Sequence, residues 1–152
     1  MAGELVLIVD DDDLIRLLVE TALTSEGYRV HGVASGEAAF AAIARERPDL
    51  ILLDVMLPGL DGFAVCERLL ADPATAEIPV VFLTARAQAE DQLHGLEMGA
   101  LDYITKPFNP LDLPGIVAVA LARSRKAVRG RWQSEREEKL RSLIRLREAS
   151  AI

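Results

Sequence analysis

A single cysteine, Cys66, stands among the 152 residues, so no internal disulfide can form, and a reducing compartment fits. No apolar run approaches the roughly 20 residues that span a bilayer. No basic segment followed by an apolar one opens the chain, as a secretory signal would require. The expectation is a cytoplasmic protein with no membrane contact. Apolar residues are not scarce: at 51% hydrophobic and 27% charged, the composition is that of a soluble globular protein and far from disorder. The length suits one ordinary domain with a short appendage.

Basic charge is scarce in one part only. Residues 1–122 carry 7 Lys and Arg against 20 Asp and Glu, a net −13. Residues 123–152 carry 10 Lys and Arg against 4 Glu, a net +6, and the two sums recover the −7 of the whole. An acidic body is followed by a basic tail.

Short apolar runs recur in the body: ELVLIVD (4–10), DLILLD (49–54), IPVVFLT (78–84), LDYIT (101–105) and the weaker YRVHGV (28–33). They lack strict alternation, which is the mark of strands covered on both faces. Amphipathic stretches separate them at 14–27, 36–48, 61–73 and 89–100, each closing near a Gly or Pro. Strand–helix alternation of this kind predicts a doubly wound α/β domain with a five-stranded parallel sheet. The last helix is expected to begin at Asp112 as N-cap with Pro114 in its first turn. Nothing but Gly130 breaks helical sequence from there to about Glu148.

The chemistry collects where the runs stop. The first ends in Asp10–Asp11–Asp12, the second in Asp54, IPVVFLT in Thr84, and LDYIT leads to Lys106–Pro107. Sites in open parallel sheets lie beyond the carboxyl ends of the strands. Carboxylates without His or Cys among them suit a hard cation, Mg²⁺ or Mn²⁺, rather than zinc. A divalent ion would also make the crowding of like charges tolerable. Asp54, alone at its strand end, is the candidate nucleophile toward a phosphoryl group. Lys106 would neutralise phosphoryl oxygens and the Thr84 hydroxyl would donate to one. Asp13 is expected to cap the first helix. His31 and His94 read as surface or satisfied residues, Cys66 as core filling, and Gly62, Gly95 and Gly99 as backbone devices.

Four motifs, VDDD (9–12), PDLILLDVMLPGLDG (48–62), VVFLTA (80–85) and GALDYITKPF (99–108), stand in an order and spacing that resembles the receiver domain of two-component response regulators. The resemblance covers about residues 4–125, and it implies domain limits of 1–126 for the receiver and 127–152 for a basic helical extension. It implies a flavodoxin-like sheet of strand order 2-1-3-4-5. It implies that Asp54 accepts the phosphoryl group, and that Asp10, Asp11, Asp54 and the Met56 carbonyl hold Mg²⁺, with Asp11 in direct contact. Thr84 and Lys106 would bind the phosphoryl oxygens. Tyr103 would turn with Thr84 during switching, and the Lys106–Pro107 bond would be cis. The donor would be a sensor histidine kinase or a His-phosphotransfer protein, and the chain would act as a switch, not as a turnover enzyme.

Two readings compete with this one. Phosphohydrolases of similar logic place a second Asp two residues after the nucleophile, where this chain has Met56. A phosphorylation-independent interaction domain would not need the intact Asp, Thr and Lys set. Met56 and Arg86 offer no acid or amide to orient water, so slow loss of phosphate is expected. Leu101, Gln92 and Ile116 stand where dimerising transcriptional members carry charges, which argues against that dimer while leaving another homodimer open. The tail reads as a solvated helix, a dimerising or transmitting helix, or, least favoured, a nucleic-acid contact, and no DNA-reading module fits in it.

Overall fold

The computed structural model describes residues 3–85, 89–97, 99–124 and 137–147. Five strands, β1 (Leu5–Val9), β2 (Arg29–Val33), β3 (Leu50–Leu53), β4 (Val80–Thr84) and β5 (Asp102–Thr105), form one parallel sheet in the order β2-β1-β3-β4-β5. The helices are α1 (Asp13–Thr24), α2 (Gly36–Arg45), α3 (Gly62–Ala71), α4 (Ala89–Glu97) and α5 (Leu113–Arg123), with a 3₁₀ turn at Pro110–Asp112. Residues 137–147 form a further helix, α6.

The unbroken apolar runs have the cause inferred for them, since helices cover both faces of the sheet. Alternate strand residues feed two separate cores. Leu7, Val9, Ile51, Leu53, Val80, Phe82 and Tyr103 face Ala39, Ile43, Val65 and Leu69 of α2 and α3. Val6, Ile8, Leu50, Leu52, Val81, Leu83 and Ile104 face Val19 and Leu23 of α1 and Leu113 and Val117 of α5. Cys66 is a buried part of the first core.

Three expectations are corrected. Asp12, not Asp13, caps α1: its carboxylate accepts from the N–H groups of Leu14 and Ile15 at 2.8 and 3.3 Å. Asp13 is instead the first helical residue and pairs with Arg16 one turn on. The last helix does not run on, because α5 ends at Arg123 with Ser124 in a turn, and α6 is separate; residues 125–136, including Gly130, lie outside the described residues. Leu101 is fully buried, so it is a core position and carries no information about surface charge in a dimer.

The start of α5 is as expected in place but not in chemistry. Asp112 occupies the N-cap position with Pro114 in the first turn, yet its side chain makes no capping bond. Asn109 caps the preceding 3₁₀ turn, its side chain accepting from Leu111 N–H at 3.0 Å.

Candidate functional site

Parallel pairing continues one residue past the strands and fixes the site's backbone. Asp10 N–H donates to Val33 O at 3.1 Å, Asp54 N–H to Val9 O at 2.9 Å, and Lys106 N–H to Thr84 O at 2.9 Å. Asp10, Asp54, Thr84 and Lys106 therefore leave the same edge of the sheet, from β1, β3, β4 and β5. Asp10 is 0%, Asp54 3% and Thr84 0% exposed, which is deep for polar groups.

The burial of the two carboxylates is compensated by the Lys106 ammonium. Lys106 Nζ lies 2.7 Å from Asp10 Oδ2 and 3.1 Å from Asp54 Oδ2. Burial pushes the Asp10 carboxyl above the usual carboxylate range, against the pull of Lys106 and the Asp12 N–H. For Lys106, burial acts to lower the pKa, but its two carboxylate partners outweigh it and hold the ammonium above an ordinary lysine. The remaining oxygens are held by backbone: Asp12 N–H donates to Asp10 Oδ1 at 2.9 Å, and Met56 N–H donates to Asp54 Oδ1 at 3.0 Å.

One carboxylate oxygen from each of Asp10, Asp11 and Asp54 lies within 4.8 Å of the others. Asp12, committed to its helix cap, stays outside this group. Asp10 Oδ2 is buried, and among the described residues the Lys106 ammonium is its one polar partner. A cluster of hard oxygens with an oxygen in that condition, open to solvent on the side of exposed Asp11, fits a small divalent cation of the Mg²⁺ kind. The structure also leaves the Met56 side chain exposed, and its backbone N–H is what bonds to Asp54.

The other singled-out residues fall into place around the pocket. Tyr103 is buried against Phe82, ring centroids 5.8 Å apart, and the Lys106–Pro107 bond is cis. His94 is exposed and stands edge-on to Phe63 at 4.5 Å; His31 is exposed on β2. Gln92's side chain and Arg86 lie outside the described residues.

One contributor escaped the sequence reading, and a second was read there only as a backbone device. Arg16 donates from Nη1 to the Asp10 carbonyl at 2.6 Å, fixing the turn that presents the acidic pair. The signal for it was slight: it is the one basic residue of α1, a turn past the acidic run. Gly62 is the other. A Cβ there would meet the Asp54 carbonyl oxygen at 2.2 Å, so α3 presses its first turn directly onto the nucleophile candidate's backbone. Spacing reveals such a glycine only as a turn residue; the contact needs the fold.

Comparison with known proteins agrees with this geometry. The family described as Response regulator receiver domain matches residues 6–118. The phosphate regulon transcriptional regulatory protein PhoB of Pseudomonas aeruginosa is 43% identical over 124 residues, 82% of this chain and 54% of that protein. The response regulator PleD of Caulobacter vibrioides is 48% identical over 108 residues, 71% of this chain and 24% of that one. Among solved structures, the chemotaxis protein CheY4 of Vibrio cholerae superposes with a TM-score of 0.74 at 32% identity, over 78% of this chain and 99% of that one. The chain spans about half the length of the transcriptional regulators it matches. With five parallel strands in the order β2-β1-β3-β4-β5 and an acidic pocket at their carboxyl ends, this chain belongs to the receiver-domain family of two-component response regulators.

Proposed function

We propose that Asp54 is the phospho-acceptor of this receiver domain and that Asp10, Asp11, Asp54 and the Met56 carbonyl hold the Mg²⁺ it works with. The observation that carries the reading is Asp54 itself: 3% exposed at the end of β3, paired at 3.1 Å with Lys106 from β5 and grouped with Asp10 and Asp11. When bound, the ion would neutralise charge on the transferred phosphoryl oxygens.

The chain's own groups do the rest. The Met56 N–H holds Oδ1 of Asp54 and so sets the plane of the carboxylate before a donor arrives. A carboxylate oxygen of Asp54 forms the new P–O bond as the P–N bond of a phosphohistidine breaks, and the imidazole leaves with its proton as a neutral group. Lys106 then donates to a phosphoryl oxygen, and Thr84, at the adjacent strand end, donates its hydroxyl to another. Drawing Thr84 toward the phosphoryl group displaces the chain that leads into α4, with Tyr103 turning alongside. This is a shift between two populations rather than turnover. The donor is a sensor histidine kinase or His-phosphotransfer protein. Output is by protein contact, in cis or with a partner. Since several of the curated relatives are transcriptional regulators about twice as long as the matched part, an effect on nucleic acid would be exerted through sequence outside the receiver.

The hydrolase reading is weaker because Met56 stands where an acid/base would be needed. The test is intact-mass measurement after incubation with acetyl phosphate and Mg²⁺. The expected result is one added phosphoryl group, absent from Asp54→Asn and absent when chelator replaces Mg²⁺. Labelling of Asp54→Asn to the wild-type level would overturn the assignment. Sustained phosphate release from a chromogenic ester would move the protein to the hydrolases. Once formed, the adduct should decay slowly, since neither Met56 nor Arg86 can orient water; a half-life of seconds by acid-quench would contradict this.

A further inference from the structure

We propose that α6 is a latch in cis, seated on the C-terminal end of α4. Three observations carry this. Arg141 Nη2 lies 3.1 Å from Glu97 Oε2, joining α6 to the last residue of α4 across 44 positions of sequence. Leu140, the neighbour of Arg141, is only 8% exposed. A lone helix of this length cannot bury its own leucine, so the rest of the chain covers it. Charge is the third: the body carries −13 and residues 123–152 carry +6, an attraction that favours docking at home.

The geometry is economical. Arg141 also lies 3.9 Å from Glu137 one turn back, so one guanidinium ties α6 to itself and to α4. It also brings a cation to the C-terminal end of α4, where the helix dipole favours one. On α6, Leu140 is buried, while Leu143 and Leu146 remain about half exposed or more.

The hold is meant to be weak. A solvent-exposed ion pair contributes little, and a helix of this length is marginal by itself in water. Amide hydrogen exchange on the full chain, at concentrations where light scattering shows monomer, reads the docking directly. Residues 137–147 should be protected well beyond a free peptide of the same sequence. Glu97→Arg and Arg141→Glu should each lower that protection about fivefold, and Leu140→Ala about tenfold or more. The double reversal Glu97→Arg with Arg141→Glu should restore it. Unprotected amides in the wild type, or single reversals without effect, would overturn the latch. So would protection that vanishes on dilution together with a dimer, since α6 would then sit on a second copy.

Discussion

Four carboxylates in a row do four different jobs, and only the fold separates them. Asp10 is buried and paired with Lys106, Asp11 is exposed beside it, Asp12 caps α1, and Asp13 pairs with Arg16. The sequence made Asp10, Asp11 and Asp54 legible because each follows an apolar strand. It could not divide Asp12 from Asp13, because capping depends on a single φ/ψ choice at the turn. Asp11 and Gly62 separate binding from stability. Asp11→Ala should leave metal-free stability within about 0.5 kcal/mol of wild type, as for an exposed site, while abolishing any Mg²⁺-dependent rise in melting temperature. Gly62→Ala should do the reverse: a methyl at 2.2 Å from the Asp54 carbonyl must push α3 away. A loss of about 1–3 kcal/mol or more, as for overpacked cores, is expected in urea titration, and a wild-type midpoint would refute the contact.

At the scale of elements, strands were easier to read than helix ends. A strand buried on both faces announces itself by composition alone, and β1, β3 and β4 fall inside the runs that predicted them. Even the half-exposed edge strand β2 was found, as the weaker apolar run YRVHGV. Helix ends were harder, because several residues compete for each cap. Asn109 and Asp112 could both start the last helix, and the chain uses them in sequence, one for the 3₁₀ turn and one for position only. The stop of α5 at Arg123 has no breaker in the sequence, which is why one long helix was expected. The cap assignment makes a direct prediction. Asp12→Ala should destabilise the protein by about 1 kcal/mol, whereas Asp13→Ala, losing only an exposed pair with Arg16, should cost a few tenths at most. Equal losses in chemical denaturation would return the cap to Asp13.

Across the whole molecule, one helix connects the pocket to the tail. α4 follows Thr84 by a few residues and rests on an aromatic row. Gly95 lies so close to Phe82 that a Cβ would come within 2.9 Å of the ring; Phe82 in turn meets Phe63 at 5.2 Å and Tyr103 at 5.8 Å. Displacement at the end of β4 would be passed to α4 through this packing, and α6 holds the far end of that same helix. A contact that fixes α4 opposes any event that moves it, and the opposition is reciprocal. Beryllofluoride, a mimic of the phosphoryl group, should bind in the presence of Mg²⁺ about two- to fivefold more tightly to Glu97→Arg than to wild type, the range an exposed ion pair can supply. The double reversal Glu97→Arg with Arg141→Glu should return to the wild-type value. Titration followed by intrinsic fluorescence measures all three proteins alike. Equal affinities would mean that α6 covers α4 without sensing the pocket. Weaker binding in Glu97→Arg would mean that the latch favours the phosphorylated arrangement, making α6 a clamp on the active state instead of a brake.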